Sequence, residues 1–132
     1  MIGLDTNVLV RYVLRDDLQQ AEIAKKLIEK CVAEQILIII SLLTIQETEW
    51  VLRACAKIDK TSIIALFKTL LESADVLIES EEVLEEALLH FENSSTDFSD
   101  CLMAAQYRHI ACDCMVTFDT KAAKVEGAVL LT

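Results

Sequence analysis

Apolar positions along this chain alternate between two rhythms. One is a short unbroken run, the other a spacing of three and four residues. Ile2-Gly3-Leu4 is a run closed by Asp5, which predicts a strand. Asn7–Leu14 then predicts a helix with Val8, Leu9, Tyr12 and Val13 on one side, and Asp17–Cys31 a second through Leu18, Ala21, Ala24, Leu27, Ile28 and Cys31. Ile36–Ile40 is continuous and rich in β-branched residues, the pattern of a strand buried on both faces in a parallel sheet. Thr44–Lys57 reads as a helix with Ile45, Thr48, Leu52 and Cys55 as its spine, and Lys60–Ser73 as another through Ile63, Ile64, Phe67, Leu70 and Leu71.

The second half repeats the scheme. Val76–Ile78 is a strand, and Ser80–Glu92 a helix capped by Ser80, with Val83, Leu84, Ala87, Leu88 and Phe91 inward. Asn93-Ser94-Ser95 is a loop. Asp97–His109 is a helix facing inward through Phe98, Cys101, Leu102, Ala105 and Ile110. Cys114–Phe118 is a strand, Thr120–Val125 a short helix and Ala128–Leu131 a last strand. Strands alternating with helices predict an α/β fold, an α/β/α sandwich with a mostly parallel central sheet. With no repeat, linker or low-complexity tract, residues 1–132 are expected to form a single domain.

Composition changes this picture little. With 54% apolar residues, two glycines and no proline, the chain favours regular elements over disorder. The longest mostly apolar stretch, Ile36–Ile45, falls short of the roughly 18–20 residues a membrane helix needs. The start lacks a basic segment, so no signal peptide is expected and the protein is placed in the cytoplasm, away from membranes. Five cysteines are an odd number, and Cys112 and Cys114 are one residue closer than a common zinc knuckle. They are expected to be small buried hydrophobes in a reducing compartment. The six acids from Glu79 to Glu92 read as the solvated face of a helix. A net charge of −10 runs against the basic balance usual in nucleic-acid binders.

Four separated acids stand out. In parallel α/β folds the working edge lies beyond the carboxyl ends of the strands. Asp5 and Asp119 each follow a predicted strand, and Glu47 lies in the first turns of the helix after the isoleucine run. Asp100 lies near a helix start with no strand just before it. Each has an ordinary explanation alone: Asp5 and Asp119 as helix caps, Glu47 as the partner of Thr44 in a capping box, and Asp97 and Asp100 as complements to a helix dipole. Together, carboxylates on one edge repel each other and call for a cation. No histidine or cysteine pair accompanies them, so the donors are hard oxygens, which suit Mg2+ or Mn2+ and hence phosphate chemistry. Thr6, Asn7, Thr44, Ser99 and Thr117 are placed to orient carboxylates or water around such an ion.

These segments resemble the PIN-domain nucleases, and among them the VapC-type toxins of toxin–antitoxin pairs. Ile2-Gly3-Leu4-Asp5-Thr6-Asn7-Val8-Leu9 is similar to the family's first motif, and Ser41–Leu52, with Glu47 at the acidic position, to its second. Asp97-Phe98-Ser99-Asp100-Cys101-Leu102 resembles the third and Thr117-Phe118-Asp119 the fourth. The resemblance implies an Mg2+- or Mn2+-dependent endoribonuclease acting on RNA, a homodimer, silenced by a small antitoxin protein. It carries catalytic and metal-ligating roles to Asp5, Glu47, Asp100 and Asp119, with Asp97, Thr6, Asn7 and Thr117 auxiliary. Either Asp97 or Asp100 fills the third position. The stretch from Thr120 to Lys124 lacks the further acid some relatives carry, which leaves one metal or two open.

Several other residues invite a role. Arg11, Arg15, Lys121 and Lys124 suggest a basic rim for a phosphate backbone, or solvated helix surface. Trp50 is expected to pack rather than to stack on a base, and His90 and His109 to lie at the surface near helix ends. A haloacid-dehalogenase type phosphatase would need an aspartate where the chain has Asn7. A non-catalytic binding module built on the same fold is the other alternative, which the negative charge favours.

Overall fold

The computed structural model describes all residues from Met1 to Thr132. The chain divides into two compact units, Met1–Glu79 and Ser80–Thr132. Every strand pairing in both is parallel.

The first unit runs β1 (Ile2–Gly3), α1 (Thr6–Leu14), α2 (Leu18–Ala33), β2 (Ile38–Ile40), α3 (Leu42–Trp50), α4 (Lys60–Glu72) and β3 (Val76–Ile78). Its strands lie side by side in the order β1-β2-β3, with Ile2 opposite Ile38 and Ile38 opposite Val76. Ile38 and Ile40 are fully buried, Ile39 is half-buried and Leu37 is half-exposed. The strand is therefore shorter than the apolar run, and the expectation of burial on both faces holds only in part. Leu9, Ile45, Leu52, Ile63 and Phe67 fill the core between the sheet and its helices.

The helix spacing is right in phase but too generous in width. On α2 only the small and inner positions Ala21, Ala24, Ile28 and Cys31 are buried, while Leu18 and Leu27 face solvent. On α1 Val10 is buried, whereas the expected Val8, Tyr12 and Val13 are half-buried. The helix expected over Thr44–Lys57 starts at Leu42 and ends in a π-helical turn, Val51–Cys55. Trp50, expected to pack, is 53% exposed.

The second unit runs α5 (Glu81–Glu92), α6 (Phe98–His109), β4 (Met115–Thr117), a 3-10 turn (Ala122–Lys124) and β5 (Ala128–Leu130), with β4 and β5 paired from Met115 opposite Ala128. The inner faces of α5 and α6 meet as the spacing predicts, through Val83, Leu84, Ala87, Leu88 and Phe91 on one side and Phe98, Cys101, Leu102 and Ala105 on the other. Phe91 and Phe98 make an edge-to-face contact with centroids 5.4 Å apart. Ile110 lies past the helix end and is exposed, contrary to its place in the pattern. Ser80 stands at the cap of α5, but its hydroxyl makes no capping hydrogen bond. No helix is long and apolar enough to cross a membrane.

Cysteine burial departs from expectation. All five thiols are free; Cys31 and Cys101 are buried, while Cys55, Cys112 and Cys114 are exposed. His90 and His109 lie in the last turns of α5 and α6, paired to Glu126 and Glu82.

Arg108 ties the second unit together. Its Nε donates to Glu86 of α5 at 2.7 Å, and its Nη1 donates to the Glu126 carbonyl before β5. Gly127 lies directly under this guanidinium with φ at +87°, and a Cβ there would stand 2.7 Å from Arg108 Nη1. Gly127→Ala therefore strains the backbone and displaces the arginine. Chemical denaturation should show a loss of at least about 1 kcal/mol. An unchanged midpoint would mean that neither the backbone at residue 127 nor Arg108 resists the added methyl group.

Candidate functional site

In the first unit, parallel pairing brings the carboxyl ends of β1, β2 and β3 to one edge. Asp5 follows β1 in extended conformation and caps α1, its Oδ1 accepting from Thr6 N–H at 2.6 Å. Its ordinary role as a cap is thus real. Thr6 is 5% exposed, and its hydroxyl donates to Glu47 Oε2 at 2.9 Å. One threonine therefore holds Asp5 through its backbone and Glu47 through its side chain. Asn7 is exposed at the next position of α1.

Glu47 is not part of a capping box. The cap of α3 is Ser41, whose Oγ accepts from Thr44 N–H at 3.1 Å, and the Leu42 N–H is taken by Glu79 Oε1 at 2.8 Å. With the helix start satisfied from elsewhere, Glu47 lies a turn further in. Thr44, placed among residues that orient carboxylates, instead donates its hydroxyl to the Leu4 carbonyl at 3.4 Å and so fastens α3 to the end of β1.

In the second unit, Asp97 stands at the cap of α6 but makes no capping bond. Its Oδ1 instead receives Lys121 Nζ at 3.2 Å. Asp100 lies in the first turn of α6, half-buried. Burial pushes its carboxyl above the usual 3.8, the nearby negative charges of Asp97 and Asp119 push it further, and Lys121 partly opposes them. Asp119 lies two residues beyond β4; its Oδ1 accepts from the N–H groups of Lys121 at 2.8 Å and Ala122 at 3.4 Å. The Thr117 hydroxyl accepts from Asp119 N–H at 3.0 Å, so Thr117 fixes the backbone rather than the carboxylate.

The expected residues thus fall into two sets: Asp5, Thr6 and Glu47 in one unit, and Asp97, Asp100, Thr117 and Asp119 in the other. No three histidine, cysteine, aspartate or glutamate side chains form a ready-made metal cage. The donors are nonetheless of one chemical kind. Protein hydrogen bonds occupy Oδ1 of Asp5 and of Asp119 and Oε2 of Glu47, which leaves a second oxygen on each for a hard cation.

Sequence reasoning missed two participants. Glu79 was counted with a solvated helix face; it belongs instead to the end of β3 and closes the start of α3. Its signal was an acid directly after a strand. Lys121, read as rim or surface, is the cation of the Asp97–Asp100–Asp119 group. Arg11 and Arg15 are no free basic rim either, since they are held by Asp16 at 3.2 Å and Glu22 at 3.6 Å.

A family profile described as the PIN domain matches residues 2–128, a span that includes both sets of acids. The chain belongs to the PIN-domain family. PIN domains are generally nuclease-like and metal-dependent, and the domain suggests binding to RNA. A search of curated proteins finds no match. The α/β fold with parallel sheets is the PIN-like fold expected from the strand and helix rhythm.

The raised Asp100 carboxyl carries a sign that can be checked. A folded-state pKa above the unfolded one means that the folded protein binds the proton more tightly. Stability from this group is complete below about pH 3.8 and is lost as pH rises through the folded value. In chelator, Asp100→Asn should therefore raise the melting temperature at neutral pH, and the gain should vanish in acid. A variant less stable than wild type at neutral pH would show that burial and the nearby acids do not disfavour the charged Asp100.

Proposed function

We propose that this PIN-domain protein is a divalent-metal-dependent endoribonuclease and the cytoplasmic toxin of a toxin–antitoxin pair. Asp5 and Glu47 in the first unit, and Asp100 and Asp119 in the second, supply ligands for Mg2+ or Mn2+. The observation that carries this reading is the crowding at Asp100. Burial disfavours its charge most, the carboxylates of Asp97 and Asp119 add to that, and a single lysine, Lys121, opposes them, so the group is short of positive charge. A cation relieves that repulsion, and oxygen donors alone favour Mg2+ or Mn2+ over zinc.

When bound, the ion supplies Lewis acidity for attack of water on phosphorus and offsets charge on the departing oxygen. The protein's share is placement. Thr6 keeps Asp5 and Glu47 in fixed relation. The backbone amides of Lys121 and Ala122 aim Asp119. Asp97, whose side chain is engaged by Lys121, is the auxiliary acid, and Asp100, which has no such partner, is the ligand. Asn7, exposed in the first turn of α1, serves in this reading to bind an RNA oxygen or a water.

The toxin role, the homodimer and the antitoxin rest on likeness to VapC-type toxins. An open groove of about 510 Å3 on the first unit, lined by Asn7, Val8, Arg11, Ile23 and Leu27 among others, supports a protein partner with an apolar segment. The net charge of −10 favours the second reading, a non-catalytic PIN-like module that uses its surface for a protein.

One comparison separates the two. The wild-type chain with Mn2+ should cleave RNA, and Asp5→Asn with an unchanged circular dichroism spectrum should lose at least about 100-fold, the upper range for residues that only support a metal ligand. Equal cleavage by both proteins would overturn the nuclease reading. Absence of cleavage together with absence of Mn2+ binding would favour the module.

A further inference from the structure

We infer that Cys112 and Cys114 form a reversible dithiol pair, oxidised to an intrachain disulfide by a small-molecule disulfide of the glutathione class. The inference does not depend on the nuclease reading. Cys112 and Cys114 lie in the short connection from α6 to β4, and both thiols are free and exposed. The other three cysteines are differently placed: Cys101, in the same unit, is fully buried, and exposed Cys55 shares its unit only with buried Cys31.

The backbone around the pair is bent and anchored at both ends. Ala111 adopts φ of +65°, its N–H donates to the Arg108 carbonyl at 3.0 Å, and Cys112 N–H donates to the Tyr107 carbonyl at 3.0 Å. Met115 N–H donates to the Gly127 carbonyl at 2.8 Å, which starts β4. Between these anchors the chain bends at Asp113. Cysteines flanking one residue have Cα atoms about 5.5–7 Å apart, and a bend brings them toward the short end, inside the range a disulfide spans. No side chain has to travel from elsewhere. An exposed disulfide in so small a ring is of the labile kind that thiols reduce readily.

The exchange balances with oxidised glutathione as the oxidant. One thiolate attacks a sulfur of oxidised glutathione and releases one glutathione thiol. The second thiolate then attacks the protein-side sulfur of the mixed disulfide and releases the other. Two protein thiols lose two electrons and two protons, and one glutathione disulfide becomes two thiols.

The connection also joins the element bearing Asp97 and Asp100 to the strand leading to Thr117 and Asp119. Oxidation would therefore act on the segment between them.

Trypsin reports the pair cleanly. Cleavage after Arg108 and Lys121 releases residues 109–121, which hold both cysteines and no other. The reduced full-length chain is equilibrated in glutathione buffers of rising oxidised fraction, quenched in acid, denatured, alkylated and digested. The expected result is a peptide that loses two hydrogens and takes up no alkyl group, restored by dithiothreitol. Cys112→Ser and Cys114→Ser should each leave the remaining cysteine as a mixed disulfide with glutathione. The inference is overturned if the peptide keeps two alkylated thiols, if it carries two glutathiones, or if it is cross-linked to Cys55 of another copy.

Discussion

Parallel strand pairing governs where this protein puts its acids. A parallel strand cannot turn back on its neighbour, so each is followed by a helical crossover, and the carboxyl ends of neighbours line one edge. In the first unit that edge carries Asp5 after β1, Ser41 after β2 and Glu79 after β3. All three meet helix N-termini, where backbone N–H groups lack helical partners and favour negative charge. Asp5 and Ser41 cap their own helices, while Glu79 reaches across to cap α3. The same logic recurs in the second unit, where Asp119 follows β4 and closes the 3-10 turn.

A structural role therefore does not preclude a chemical one for these carboxylates. A cap uses one oxygen and fixes the direction of the other. Asp5 and Asp119 are each held this way, and Glu47 is held by a buried hydroxyl instead. Asp100 differs. It is half-buried, lies close to like charges and has only Lys121 in opposition. Its charged form therefore costs stability at neutral pH.

Much of this was legible in the chain. Strand and helix rhythm located all five strands and all six helices within a few residues, because short apolar runs and three-to-four spacing follow directly from backbone geometry. Five inner positions of α5 were read correctly because that helix packs on one partner, α6, along a single stripe. Widths were not legible. Leu18, Leu27 and Ile110 fit the helical phase yet face solvent, since periodicity does not say where packing stops. At the site, Asp5 and Asp119 were readable from strand ends. The Thr6–Glu47 bond joins positions 41 residues apart, and the Glu79–Leu42 cap joins positions 37 apart, so neither has a local signature. Lys121 was noticed only as a nearby charge, because its pairing with Asp97 depends on how β4 and α6 pack within their unit.

The central claim is that acids from both units serve a single kind of cation. Crystals soaked in Mn2+ test it most directly, through anomalous density and the ligands around each peak. The account predicts peaks whose ligands include carboxylate oxygens of Asp5, Glu47, Asp100 or Asp119. Peaks confined to carboxylates elsewhere on the surface, with these four acids untouched, would contradict it.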